Sequence, residues 1–371
     1  MKKSWLLGLI TLTGTISSAQ EPIAREWFGI TDTGSPVEKY TLNNGGYSLE
    51  ILTLGAIIHR LYLPDRHGEL ADVVLGLDSV AEYQNRELDA NFGCVIGRYA
   101  NRIAKGQFKI GTNSYQLAIN NPPNSLHGGV KGFCDQIWQA LPVMTPEGPA
   151  LRLTYQSHDG EEGFPGNLNV EVTYTLSQTG VQIDYVARSD QTTVINLTNH
   201  TYWNLAGHGN GDILNHRLEL NAPTYTPADD SLIPTGEQAV VENTPFDFTS
   251  GKPIGQDINH PLVQRPTYGG YDHNFILAGG NGQLRLAARL YEPESGRGIE
   301  IHTTEPGIQV YTGNWLNLDA AKDDKPYHRY AGVALECQHF PDSPNQPDFP
   351  STLLEPSQTY RQTTIFRFFV D

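Results

Sequence analysis

The chain is short of three things. It has 3 cysteines in 371 residues, too few to staple a chain of this length into a disulfide scaffold. The count is odd, so at least one thiol is unpaired within the monomer. No Cys-x-x-Cys occurs, which removes zinc ribbons and thioredoxin-type redox sites. Small apolar filler is the expected role of Cys94, Cys134 and Cys337. Basic residues are also few: 25 Lys and Arg stand against 41 Asp and Glu, for a formal charge of -16. A nucleic-acid surface needs the opposite surplus. That balance fits an acidic, soluble protein with a small neutral partner, and neither nucleic acid nor membrane. Last, no long apolar run follows the first twenty residues, and long helical periods are scarce.

What is present begins with an address. Lys2 and Lys3 precede an apolar run from Trp5 to Ile16, and Ser17, Ser18 and Ala19 follow. This is the n-region, h-region and small-residue cut of a secretory signal. The run is short of the roughly 20 residues that span a bilayer; a buried N-terminal helix is the alternative reading. Residues 1–20 are therefore expected to be a signal peptide. Residues 21–371 are expected to form a single domain in the periplasm or outside the cell. With no cysteine near the cut, a lipid anchor is not expected.

The remainder is turn-rich, with 37 Gly and 24 Pro, and alternates with period two. Val170, Val172, Tyr174 and Leu176 alternate with polar residues, a turn follows at Gln178–Gly180, and Val181, Ile183, Tyr185 and Ala187 alternate again: a hairpin. Leu284, Leu286, Ala288 and Leu290 repeat the pattern and lead through a turn to Ile299 and Ile301. Ile51, Leu52 and Leu54, then Ile57, Leu61 and Leu63, read as the first core strands. Ser79–Arg86 reads as one short helix. The expectation is an all-β chain, a large antiparallel β-sandwich with long loops.

Three strands carry an unusual face. Val194, Asn196, Thr198, His200 and Tyr202 alternate with Ile195, Leu197, Asn199 and Thr201. Gln309 and Tyr311 oppose Ile308 and Val310. Ala334, Glu336 and Gln338 oppose Val333, Leu335 and Cys337. A solvated outer face is one explanation, but such faces favour Lys, Glu and Thr; His, Gln, Asn and Tyr point to a polar cleft over a packed sheet. Glu336 follows the apolar run Gly332–Leu335, so its carboxylate must be functional or paired, a structural salt bridge to an arginine being the alternative. His200 sits among aromatic and amide groups that stack on and hydrogen-bond sugars. His127 precedes two glycines, and Asp272 follows two; a plain loop histidine and a turn-forming aspartate are their alternatives. No metal is expected: there is no His-Glu-x-x-His, and glycines interrupt the eight-residue spacing of His200, His208 and His216. Walker, Rossmann and Gly-x-Ser-x-Gly patterns are absent in context.

Seven segments occur in one order: Gly97-Arg98-Tyr99-Ala100-Asn101-Arg102-Ile103, Leu126-His127-Gly128-Gly129, Gly160-Glu161-Glu162-Gly163-Phe164-Pro165-Gly166, Thr198-Asn199-His200-Thr201-Tyr202-Trp203-Asn204-Leu205, Tyr271-Asp272-His273, Gln309-Val310-Tyr311-Thr312-Gly313-Asn314 and Leu335-Glu336-Cys337-Gln338. Together they resemble the aldose 1-epimerases, the galactose mutarotases. The resemblance implies a galactose mutarotase-like supersandwich, no cofactor, and interconversion of the α and β anomers of a free aldose such as galactose or glucose. It implies Glu336 as general base and His200 as general acid. It implies sugar contacts from Asn101, Arg102, His127, Tyr202, Asp272 and Gln309. The sequence departs from the family's usual pattern in its signal and in His339-Phe340.

The chemistry of the residues agrees. Mutarotation needs a base for the anomeric hydroxyl and an acid for the ring oxygen, and the two exchange roles when the ring recloses. Each contributes about 10² to 10⁴. Arg102 and His127 suit charge developing near the ring oxygen, and Asp272 suits two adjacent hydroxyls. With ordinary values of about 6.5 for His and 4.3 for Glu, activity should peak between them and fade above neutrality, the upper limb set by His200. Trp203 alternates away from Tyr202 and is assigned to packing. Rival readings are a glycoside hydrolase using Asp272 and Glu336, a sugar-binding protein without catalysis, and an enzyme for hexose 6-phosphates, which would need a basic phosphate clamp. Oligomeric state and the preferred aldose are not legible.

Overall fold

The computed structural model describes residues 21–88, 90–265 and 269–371. The expected signal peptide lies outside them. The regular structure of the described chain is almost entirely antiparallel sheet, joined by long loops. The hairpin read from alternation is there: Leu168–Ser177 pairs with Gly180–Ser189 in unbroken register from Leu168↔Ser189 to Ser177↔Gly180. It lies within a nine-stranded sheet that also holds Tyr360–Val370, Arg297–Thr303 and Arg285–Tyr291. A six-stranded sheet runs Tyr202–Trp203, Val333–Gln338, Gly307–Tyr311, Asp272–Ile276, Thr224–Tyr225, Ala239–Val240. A five-stranded sheet from Ile23 to Asp72 opens the described chain.

The two large sheets meet through their apolar sides. Val172, Ile183, Ile301 and Phe366 of one share a core cluster with Ile308, Val310, Val333, Leu335 and Cys337 of the other. Trp203 packs on Phe366 with ring centroids 5.0 Å apart, which places it in packing as expected. Period two therefore did what it does in any sheet: it sent one set of side chains to the core and left the other set together on the far side. That far side carries the cleft.

Four expectations need correcting. The first core strands are preceded by Ile23–Ile30 and Pro36–Asn44; a bulge between Trp27 and Gly29 breaks the alternation of the first. A second bulge, between Leu286 and Ala288, turns both Ala287 and Ala288 inward and leaves Leu284 exposed. The helix is a single turn, Val80–Tyr83, with Ser79 accepting from the Glu82 amide as its cap. Val194–Tyr202 is not one strand. It is three short pairings, Thr193–Val194 with Leu353–Leu354, Thr198–Asn199 with Val95–Ile96, and Tyr202–Trp203 with Val333–Ala334.

The cysteines also differ from expectation. Cys337 is buried filler, but Cys94 and Cys134 form a disulfide across 40 residues. Cys134 lies in the turn Phe133–Asp135. The bond ties that turn to the strand-end segment beside His200, because the His200 amide donates to the Cys94 carbonyl and the Gly93 amide donates to the His200 carbonyl. A loop of this length should contribute about 4 kcal/mol by the chain-entropy account. We expect Cys94→Ala/Cys134→Ala to lower unfolding stability by at most that amount in denaturant titrations, with reductant leaving the double variant unaffected and destabilising the wild type. An identical midpoint for wild type with and without reductant would count against a formed bond.

Candidate active site

The site is built by register. Asp272 stands opposite Tyr311, Gln309 opposite Glu336, and Ala334 opposite Tyr202. Opposed residues share a face, so one side of the six-stranded sheet gathers Tyr202, Asp272, Gln309, Tyr311 and Glu336. Val333–Gln338 is buried on both faces, and Glu336 is 2% exposed. His200 lies just outside the sheet edge at Tyr202. Its Nε2 is 3.6 Å from Glu336 Oε1, and its ring packs 4.9 Å from that of Tyr202.

The second wall is a pair of locked loops. Asn101 and His127 both hold left-handed backbone, φ +62° and +51°. The His127 amide donates to the Asn101 carbonyl, the Asn101 amide donates to His127 Nδ1, and the Arg102 amide donates to Asn101 Oδ1. Gly128 is required here: a Cβ on it would lie 1.9 Å from the Gly97 carbonyl oxygen. Glu162 accepts from the amides of Val130 and Lys131 beyond it. Arg98, buried, donates to the carbonyls of Pro165 and Gly166, and Glu161 accepts from Ser157, which Arg98 also contacts. The first and third sequence motifs thus interlock as scaffold for Asn101, Arg102 and His127.

The resulting cleft holds about 260 Å³, below the 300–1,000 Å³ of sites for drug-sized ligands. Asn101, Arg102, His127, His200, Tyr202, Asp272 and Glu336 all line it. Gln309 does not; it lies beneath, donating from Nε2 to Asp272 Oδ1 at 2.6 Å. Tyr202 presents its ring, since its hydroxyl donates to the Ala90 carbonyl. Asn196 and Asn199 spend their amides on backbone carbonyls and take no part in the cleft. Sequence reasoning missed Asn91, Asn121, Leu232 and Trp315, which also line it. Asn121 accepts from Arg102 Nε. Trp315 is 63% exposed at the mouth, and only its aromatic type, with its place in a loop after Asn314, could have flagged it. A larger concavity of about 670 Å³ lies over Thr154–Gln156 and Val186–Arg188. Its charged residues, Glu171 and Arg188, are not buried.

Burial governs the proton affinities. It brings His200 down to about 4. It raises Glu336 well above the usual carboxylate value; the nearby Asp272 charge adds to this and Arg102 opposes it. His127 falls well below the ordinary imidazole value through burial, then through His200 and Arg102. Asp272 is raised by burial, against Arg102 and the Gln309 hydrogen bond. Burial thus favours the neutral form of each partner, with the proton on the carboxyl rather than on His200. Moving it to Nε2 gives a carboxylate–imidazolium pair of the same total charge, and the two groups titrate as a unit.

Donor atoms of His127, His200 and Glu336 lie within 4.8 Å of one another, the spacing of a potential metal site. Tautomers argue otherwise. His127 Nδ1 accepts from the Asn101 amide, so its neutral ring carries the proton on Nε2 and offers the cleft a donor, not a ligand lone pair. His200 Nδ1 has no hydrogen-bond partner among the described residues, whereas a metal-bound histidine is normally oriented through its second nitrogen. The trio fits proton transfer and oxyanion stabilisation better than ion binding.

Comparison with known proteins identifies the family. The family profile for aldose 1-epimerase matches residues 38–367. A galactose mutarotase of Bos taurus is 43% identical over 350 residues, covering 94% of this chain and 99% of that protein. The aldose 1-epimerase of Escherichia coli K12 is 34% identical over 342 residues, covering 91% and 97%. Among solved structures, a galactose 1-epimerase from Lactobacillus acidophilus superposes with a TM-score of 0.81 at 28% identity, covering 94% and 98%. An aldose epimerase homologue from Caenorhabditis elegans gives 0.80 at 28% identity, covering 94% and 99%. The chain belongs to the aldose 1-epimerase family.

Proposed function

We propose that the cleft interconverts the α and β anomers of a free monosaccharide such as galactose or glucose. The observation that carries this reading is the buried His200–Glu336 pair, 3.6 Å apart, in which burial lowers the imidazole and raises the carboxyl. As carboxylate, Glu336 takes the anomeric hydroxyl proton while imidazolium His200 gives one to the ring oxygen. The ring opens, C1–C2 rotates, and reclosure runs the two transfers backward, so no net proton is consumed. His127 Nε2–H and the Arg102 guanidinium stabilise charge at the ring oxygen. Asp272, steadied by Gln309, accepts from neighbouring hydroxyls and tethers the open chain. Glycoside hydrolysis fits less well: a cleft of about 260 Å³ leaves little room for a leaving sugar. The preferred aldose is decided by contacts that a sugar-bound complex would read.

We also place the protein in the periplasm or outside the cell. The Lys2–Ala19 pattern supports this, and so does the Cys94–Cys134 bond, since such bonds persist in oxidising compartments. No described helix is long and apolar enough to cross a membrane. Mass analysis of native protein should find a mature N-terminus near Gln20 or Glu21; an intact Met1 in a cytosolic fraction would overturn the assignment.

Polarimetry of fresh α-D-galactose and α-D-glucose tests the activity. Glu336→Gln should lose about 10² or more in kcat with little change in KM, since Gln accepts hydrogen bonds but no proton. His200→Asn should lose most activity while galactose affinity by calorimetry stays within about tenfold. A wild-type rate in either folded variant would remove that residue from its role.

The pH profile differs from what unperturbed groups imply. A second proton enters the pair only near pH 4, where His200 takes it, and the last leaves only above the raised value of Glu336. The two limbs exchange owners. We expect kcat/KM to fall near pH 4 and to fall again only above the raised value of Glu336. An upper limb at the ordinary value of free histidine that Glu336→Gln leaves unmoved would refute the assignment of that limb to Glu336.

A further inference from the structure

Four side chains on the cleft side of the six-stranded sheet are only partly accounted for by the proton chemistry. Asn274, Gln309 and Glu336 form one row across three strands, each opposite the next. Gln338 stands two residues beyond Glu336 on the same face, opposite Gly307. All four are buried, Gln338 completely. Asn274 leans toward it, since a Cβ at Gly307 would come within 2.7 Å of Asn274 Oδ1. Glu336 Oε2, Gln309 Oε1, Asn274 Oδ1 and both amide atoms of Gln338 have no hydrogen-bond partner among the described residues.

So many orphaned atoms on one contiguous face are unusual, because buried polar groups are nearly always paired, with protein or with internal water. The set is also lopsided. It holds four acceptor oxygens and a single donor group, the Gln338 amide NH₂. No arrangement among the four satisfies them all; water, which both donates and accepts, does.

We propose that Gln338 is a positioning residue for Glu336, acting through ordered water that links its amide N–H to Glu336 Oε2 and is shared with Asn274 and Gln309. This rests on Glu336 being the proton acceptor. Gln338 is not among the residues lining the cleft, so it acts from behind. The carboxylate then has two unlike oxygens. Oε1 faces His200 Nε2, and Oε2 is held on the inner side, which fixes the rotation of the group and supports its ionised form. The other charged or titratable groups around Glu336 are His200, His127, Asp272 and Arg102, with Tyr202 and Tyr311; none is altered by changing Gln338.

Gln338→Met keeps the shape and removes both polar atoms. Its kcat should fall about tenfold with KM within about twofold. The upper limb of kcat/KM should move up by about half a pH unit or more, because the carboxylate has lost a donor. Gln338→Asn keeps the amide within reach of an added water and should recover most of the rate. Independently of any variant, a wild-type crystal structure at about 1.2 Å should show water within hydrogen-bond reach of both Gln338 Nε2 and Glu336 Oε2. A dry contact there overturns the proposal. So does a Gln338→Met enzyme with wild-type kcat and an unmoved limb, whatever its Tm, which would leave Gln338 a packing residue. If instead Glu336→Gln keeps its rate, the base assignment has failed, and the crystallographic water is still read on its own.

Discussion

A carboxylate in the middle of a strand buried on both faces is the constraint around which the rest of the cleft is arranged. Glu336 is shut off from bulk solvent where it stands, and a lone charge there would be prohibitively costly. Two responses are visible. The group keeps its proton more tightly than an exposed glutamate does, and an imidazole at 3.6 Å stands ready to take that proton. The same burial that raises one partner lowers the other, so low dielectric does not merely perturb the pair; it makes the two groups complementary. Asp272 sharpens the effect by adding a second negative charge nearby, and Arg102 limits it. Removing either would shift the balance without touching the sheet.

Positioning follows from two different mechanisms. Glu336, Gln309 and Asp272 are placed by strand register, where a slip of one residue would send each to the apolar core. Asn101, Arg102 and His127 are placed by loops, where no ladder imposes geometry. There the chain uses left-handed backbone at Asn101 and His127, a glycine that a Cβ would push off the Gly97 carbonyl, and Glu162 across the loop end. His200 falls between the two regimes. Its backbone pairs with Gly93 and Cys94, and the Cys94–Cys134 bond joins that segment to the turn just beyond the His127 loop. The disulfide therefore connects the supports of the two histidines, whose rings stand 5.3 Å apart.

These two regimes also explain what was legible in the sequence. The hairpin at Leu168–Ser189 and the two-faced strands at Ile308 and Val333 were readable because alternation is a local pattern with a local cause. Glu336 stood out because its neighbours are apolar. The segment Val194–Tyr202 alternates just as clearly, yet it breaks into three pairings, because partner choice depends on chain segments far away in sequence. Alternation reports which side a residue faces and is silent on what it meets there. Asn196 therefore looked like a cleft residue and is a backbone clamp. The Cys94–Cys134 pair was illegible for the same reason: forty residues of separation give no local sign of contact. Gln309 was recognised as part of the site, but its place beneath Asp272 is a property of register across three strands.

The shared proton has a consequence for the kind of reaction such a site favours. Anomerisation returns the substrate to its own charge and protonation, differing only at C1. A site whose acid and base were held permanently in opposite charge states would favour one direction of transfer and leave the pair in the wrong state after each turnover. In this cleft the resting and reactive forms differ only by an internal shift between Glu336 and His200. After ring opening the pair has exchanged roles, and after reclosure it is back where it began, with no exchange with solvent required. That condition demands two groups whose affinities can be matched by small movements of the sugar's own oxygens. A carboxyl raised by burial and an imidazole lowered by it, with Arg102 and His127 present to favour charge when it appears, satisfy it.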